Sequence, residues 1–147
     1  MLYEACEKVG LPVMFHIDQN KNMVEPGMER VDRVLKMFPN CKVIAHAYWW
    51  RQLQHADRQL QEHPNLYADM SGHVVVQVLN RDRKFAREFL IRNQDKILWA
   101  TDEGWWSFGS KDRQMNQHYT FFEELDLPDE VRQKIYRGNA EKVYGLK

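Results

Sequence analysis

Apolar positions along the chain follow two alternating rhythms. Leu2, Ala5, Cys6 and Val9 fall at i, i+3, i+4 and i+7, the spacing of one helical face, and Gly10 and Pro12 stop that helix. A strand over Val13–Ile17 follows, with His16 near its end. A polar loop from Asp18 to Pro26 leads to a second helix, which carries Val31, Val34, Leu35 and Phe38 on one face. Pro39-Asn40 breaks it before a strand over Lys42–Ala47, which brings His46 to its end. Leu53, Ala56 and Leu60 mark a third helix, closed by His63-Pro64, and Asn65–Met70 is a third strand that runs into Ser71-Gly72. The spacing predicts one long helical region to about Asn93, with Phe85, Ala86, Phe89 and Leu90 as its apolar face. The short run Ile97–Thr101 then ends on Asp102. Beyond it, Met115, Tyr119, Phe122 and Leu125 predict another helix. Pro128 suits a first helical turn, where Asp129 and Glu130 complement the helix dipole. Gly138 punctuates the last region, and Asn139 is placed to N-cap a closing turn.

Strand, helix and strand repeat at roughly 30 residues, the size of a βαβ unit. Four such units follow one another with no linker or shift of composition, so residues 1–147 read as one α/β domain with a parallel sheet. Short apolar runs bounded by polar residues suit strands buried on both faces. Parallel sheets place their chemistry at the C-terminal ends of strands. His16, His46 and Asp102 all stand at such ends and could meet in one site. No glycine-rich phosphate loop follows the first strand, where Asp18-Gln19-Asn20-Lys21-Asn22 stands instead, which argues against a self-contained nucleotide-binding domain.

Composition narrows the partners. The chain has 147 residues, 44% hydrophobic, enough to build a core. Its 21 basic residues balance 21 acidic ones, so there is no electrostatic footprint for nucleic acid or an anionic membrane. Cys6 and Cys41 lack the spacing of a metal or redox motif and read as small apolar residues, which fits a reducing, cytoplasmic compartment. No stretch has the length of an apolar membrane span.

Several segments together resemble a known family. They are Tyr3–Pro12 leading to His16, Phe38-Pro39-Asn40 leading to His46, Pro64–Gly72, Ile97–Asp102 and Ile135-Tyr136-Arg137-Gly138-Asn139-Ala140. In order and spacing they resemble the C-terminal half of the amidohydrolase-related TIM-barrel enzymes, metal-dependent hydrolases and decarboxylases (carbon–carbon lyases). The resemblance implies a partial (β/α)8 barrel of about four C-terminal βα units, whose strands ending at His16, His46 and Asp102 are similar to barrel strands five, six and eight. It implies that His16 is a metal ligand. His46 is either a second ligand or the imidazole that orients water or substrate, and Asp102 ligates the metal and exchanges a proton with the reacting group. The implied cofactor is a divalent metal, zinc or manganese, and the implied substrate a small carboxylated or cyclic compound. The family's His-x-His pair at the end of the first barrel strand has no counterpart here, and a complete barrel needs eight strands and about 250 residues.

Other positions at the same strand ends carry open readings. Ser71 and Gly72 are either a turn or a substrate contact. Trp49, with Tyr48 and Trp50, and Trp105, with Trp106, put aromatic bulk on loops that would rim the site or pack on a missing half. Arg51, Glu103, His55, His63 and His118 read as surface or structural residues, and His73 as a solvated loop histidine. An open four-stranded sheet would leave two apolar edges, Val13–Ile17 and Ile97–Ala100, which predicts a homo-oligomer or pairing with an N-terminal half-barrel. Because the His-x-His pair is absent, the alternative function is a catalytically incomplete half-barrel that acts as an assembly partner or remnant.

Overall fold

The computed structural model describes residues 2–16, 27–104 and 114–146, and for residues 47, 48, 73, 114 and 115 the backbone only. In chain order the elements are α1 (Leu2–Val9), β1 (Val13–His16), α2 (Gly27–Met37), β2 (Val43–His46), a 3-10 turn (Ala47–Gln52) running into α3 (Leu53–Glu62), β3 (Leu66–Asp69), α4 (His73–Leu79), α5 (Arg83–Arg92), β4 (Ile97–Leu98), α6 (Gln114–Glu124), α7 (Asp129–Gln133), a π-turn (Lys134–Gly138) and α8 (Asn139–Tyr144). The sheet is parallel throughout, in the order β1-β2-β3-β4. Sequential parallel strands joined by helices are four consecutive units of a partial (β/α)8 barrel.

Alternation along the strands separates two faces. Val43, Ala45, Leu66, Ala68 and Ile97 pack against the helices in the main core, whereas Ile44, Tyr67 and Leu98 form a second cluster on the opposite face with Val143 of α8. α8 reaches that face from the N-terminal ends of the strands. Lys42 Nζ donates to Val143 O at 2.8 Å, and Asn139 Nδ2 donates to Gln94 O at 2.6 Å and Ile97 O at 2.7 Å. Asn139 is thus a clamp on the start of β4 and not the expected N-cap. Its own backbone is helical, because the π-turn carries the helix through Gly138 without a break. Asn139→Ala leaves both carbonyls without this partner. The expected loss is about 1–3 kcal/mol for each, read from the midpoint of urea denaturation.

Three further expectations shift in the structure. The helical region after Ser71 is two helices, because Asp82 accepts from Phe85 N at 2.9 Å and starts α5 afresh. β4 pairs over only two residues, since Trp99 N donates to Ile135 O at 2.9 Å instead of continuing the ladder. The Trp99 ring then packs on Phe122 and Tyr136. α1 does not bury the face that its periodicity suggested: Tyr3 stacks on Phe38 at 5.2 Å, while Leu2 and Val9 are exposed. Leu11 and Met14 are exposed too, so apolar surface gathers around the edge strand β1. Cys6 and Cys41 are free thiols, and burial pushes the Cys41 thiol up. No described helix is long and apolar enough to cross a membrane.

Candidate active site

The register of β1 on β2 sets His16 directly beside His46. Their rings meet edge to face at 5.4 Å between centroids. Both stand at the C-terminal ends of their strands, on the face opposite the helices, since Val43 and Ala45 occupy the helix side. His16 is exposed and His46 half-buried, so the pair opens outward from the sheet.

β3 supplies the next layer of the site. Asp69 is the last residue of β3 and is only 2% exposed. Its carboxylate lies against His46 Nδ1, at 3.1 Å from Oδ1 and 3.0 Å from Oδ2. Ser71 N donates to Asp69 Oδ1 at 3.1 Å, the Ser71 hydroxyl donates to the same oxygen, and Ser71 Oγ lies 3.0 Å from His46 Nδ1. The backbone beneath is fixed as well. Trp50 Nε1 donates to Asp69 O at 2.7 Å, and Met70 N donates to Leu98 O at 2.9 Å.

Asp102 follows β4 at the same end of the sheet. The chain before it still runs beside β3, with Gly72 N donating to Thr101 O at 3.4 Å. Asp102 itself is exposed and left-handed, with φ of 59°. That conformation is one that Asp tolerates better than most residues. Among the described residues no group of three or more His, Cys, Asp or Glu side chains is placed to hold a metal ion. The structure therefore brings His16 and His46 together but does not complete a ligand set with Asp102.

The remaining candidates separate clearly. Ser71 is buried and its hydroxyl is engaged by Asp69 and His46, so the reading as a substrate contact gives way to a role inside the site. Trp49 and Trp50 were expected to rim the site or to pack on a missing half, and instead lie wholly in the core, where Trp49 Nε1 donates to Gln59 Oε1 at 2.8 Å. The 3-10 turn after His46 tucks both indoles back under the helices. Trp105 and Trp106 lie outside the described residues, as do the side chains of Tyr48 and His73. His118 and His63, expected on the surface, are buried. His118 Nε2 donates to Gly72 O at 3.2 Å, and His63 Nε2 lies 3.1 Å from Asp32 Oδ1. Asp69 carried no sequence assignment. The signal that points to it is alternation: Tyr67 and Asp69 share a face, and the register of β2 on β3 carries that face to Ile44 and His46.

Comparison with known proteins places the fold. A family model described as amidohydrolase matches residues 1–146. Among solved structures, an uncharacterised TIM-barrel protein from Bordetella bronchiseptica superposes with a TM-score of 0.73 at 23% identity, over 99% of this chain and 49% of that one. Dihydroorotase from Campylobacter jejuni gives 0.67 at 18%, over 99% and 51%. An amidohydrolase from Burkholderia multivorans with bound zinc gives 0.61 at 14%, over 97% and 55%. These likenesses establish the barrel fold, and the chain spans about half the length of each of the three. No curated protein matches it significantly.

Proposed function

The chain belongs to the amidohydrolase family, and from that membership we propose that it forms the part of a metal-dependent hydrolase barrel that carries His16, His46 and Asp102. The observation that carries this reading is the His16–His46 pair at the C-terminal ends of neighbouring parallel strands, with His46 backed by a buried carboxylate. The donor chemistry fits a divalent metal. Two imidazoles stand side by side and an exposed carboxylate follows the next-but-one strand at the same end, a set suited to zinc or manganese with positions left over. A cation held there would supply Lewis-acid polarisation of a carbonyl and acidify water toward neutral pH.

The chain's own residues have distinct tasks in this scheme. His16, on the open edge strand, would hold the metal. His46, fixed by Asp69, presents its second ring nitrogen to the metal or to the water that attacks. Asp102 takes the proton from that water at a carboxylate oxygen and returns it to the leaving group. The substrate in this reading is a small cyclic or carboxylated compound, and hydrolysis is preferred over decarboxylation because the matching family model is described as amidohydrolase.

The remaining ligands and the covering of the β1 edge come from a complementary half-barrel or a second copy. Leu2, Val9, Leu11 and Met14 support this, since all four are exposed on α1, the turn after it and β1. The same surface favours the second reading, in which the chain serves assembly alone. The experiment is sedimentation of the purified chain at micromolar concentration, with metal content by plasma emission. The expected result is an assembly larger than a monomer that retains zinc or manganese, with metal lost in His16→Ala. Assembly without metal supports the second reading, and metal content unchanged in His16→Ala refutes the first.

A further inference from the structure

We infer that Asp69 and Ser71 are a positioning pair that locks His46 in the tautomer with the proton on Nδ1 and a bare lone pair on Nε2. The inference follows from counting donors and acceptors. His46 Nδ1 faces three oxygens within 3.1 Å: Asp69 Oδ1, Asp69 Oδ2 and Ser71 Oγ. An ionised carboxylate only accepts, and a serine hydroxyl has a single proton. That proton is directed at Asp69 Oδ1, where the Ser71 backbone N–H also donates. Among the described residues nothing around Nδ1 is left to donate to it, so Nδ1 carries the hydrogen.

Burial makes this choice firm. Asp69 and Ser71 are each almost fully enclosed, so a carboxylate that lost its imidazole donor would have no water to replace it. The anchor is rigid because the carbonyl of Asp69 is itself held by the Trp50 indole. The result is an imidazole fixed in rotation as well as in tautomer, with Nε2 directed away from the carboxylate. This is the arrangement in which a carboxylate behind a histidine orients it and raises its basicity toward a metal or a proton. Asp69 and Ser71 touch neither metal nor substrate in this scheme and act through His46 alone.

The consequence for catalysis rests on the hydrolase reading above, but the tautomer does not, and the test separates them. Chain labelled with 15N at histidine is studied without metal at about pH 8, above the ordinary histidine range. Long-range 1H–15N correlation then reports which ring nitrogen of His46 is protonated. The expected result is Nδ1–H, the reverse of the preference of a histidine side chain free in water. In Asp69→Asn, with circular dichroism confirming the fold, that bias is expected to disappear, and zinc affinity to fall about 10–100-fold. A wild-type spectrum with Nε2–H dominant overturns the inference, and it needs no variant. Unchanged His46 signals in a folded Asp69→Asn overturn it too. A biased wild type whose assembly binds neither zinc nor manganese upholds the positioning pair and refutes the hydrolase reading.

Discussion

Trp50→Ala will cost the fold about 3–5 kcal/mol, the range for truncating a buried aromatic. The indole is completely buried, edge-to-face with Trp49 at 5.3 Å and with Phe89 at 5.7 Å, which joins the turn after β2 to α5. Its N–H also holds the carbonyl of Asp69 at the end of β3. Domains of this size have only about 5–15 kcal/mol of stability, so a large share would go with one side chain. Urea denaturation should show the midpoint fall with little change in slope. Trp50→Phe isolates the hydrogen bond, because the ring remains and the donor is lost. The expected cost there is about 1–3 kcal/mol, the range for a buried acceptor left unsatisfied. If Trp50→Ala proved no worse than Trp50→Phe, the packing across these rings would contribute nothing measurable, contrary to the burial.

How much of this was legible beforehand depended on the range of the interaction involved. Strand ends at His16 and His46 are local events, written in short apolar runs and the polar residues that close them. The parallel order of the sheet followed from the repeat of strand and helix. What the sequence could not display was register. Asp69 faces His46 only because β2 and β3 pair Ala45 with Ala68, and nothing in Asn65–Met70 alone states that offset. Trp49 and Trp50 were misplaced for a related reason. Directly after a strand that ends in a candidate ligand, aromatics read as a rim or as a face for a missing half, but a 3-10 turn reversed them into the core. His118 was read as surface because helical periodicity put Tyr119 on the buried face. In the structure Phe122 and Leu125 of that face are buried, but Tyr119 is exposed and His118 and Phe121 are enclosed. β4 is shorter than its apolar run because a carbonyl from the distant π-turn captures the Trp99 amide. Such a contact is invisible to any local pattern.

Asp102→Asn will separate chemistry from structure. The residue is exposed, and its φ of 59° lies in the left-handed region, which Asn and Asp enter more readily than other side chains. Asparagine therefore keeps both the backbone and the shape, and the stability change should stay within about 0.5 kcal/mol, as for surface substitutions in general. What disappears is the oxygen that accepts a proton. If Asp102 exchanges a proton with the reacting group, the hydrolysis rate of the metal-loaded assembly on a panel of cyclic amides and esters will drop about 10²–10⁴-fold. Asp102→Ala should show the same loss of rate and, in addition, a backbone cost of about 1–2 kcal/mol, since alanine has no polar side chain to support that conformation. The pair of variants thus predicts equal damage to turnover and unequal damage to the thermal midpoint. Wild-type turnover in a metal-loaded Asp102→Asn protein would remove Asp102 from the reaction and leave the proton acceptor to be sought elsewhere on the rim.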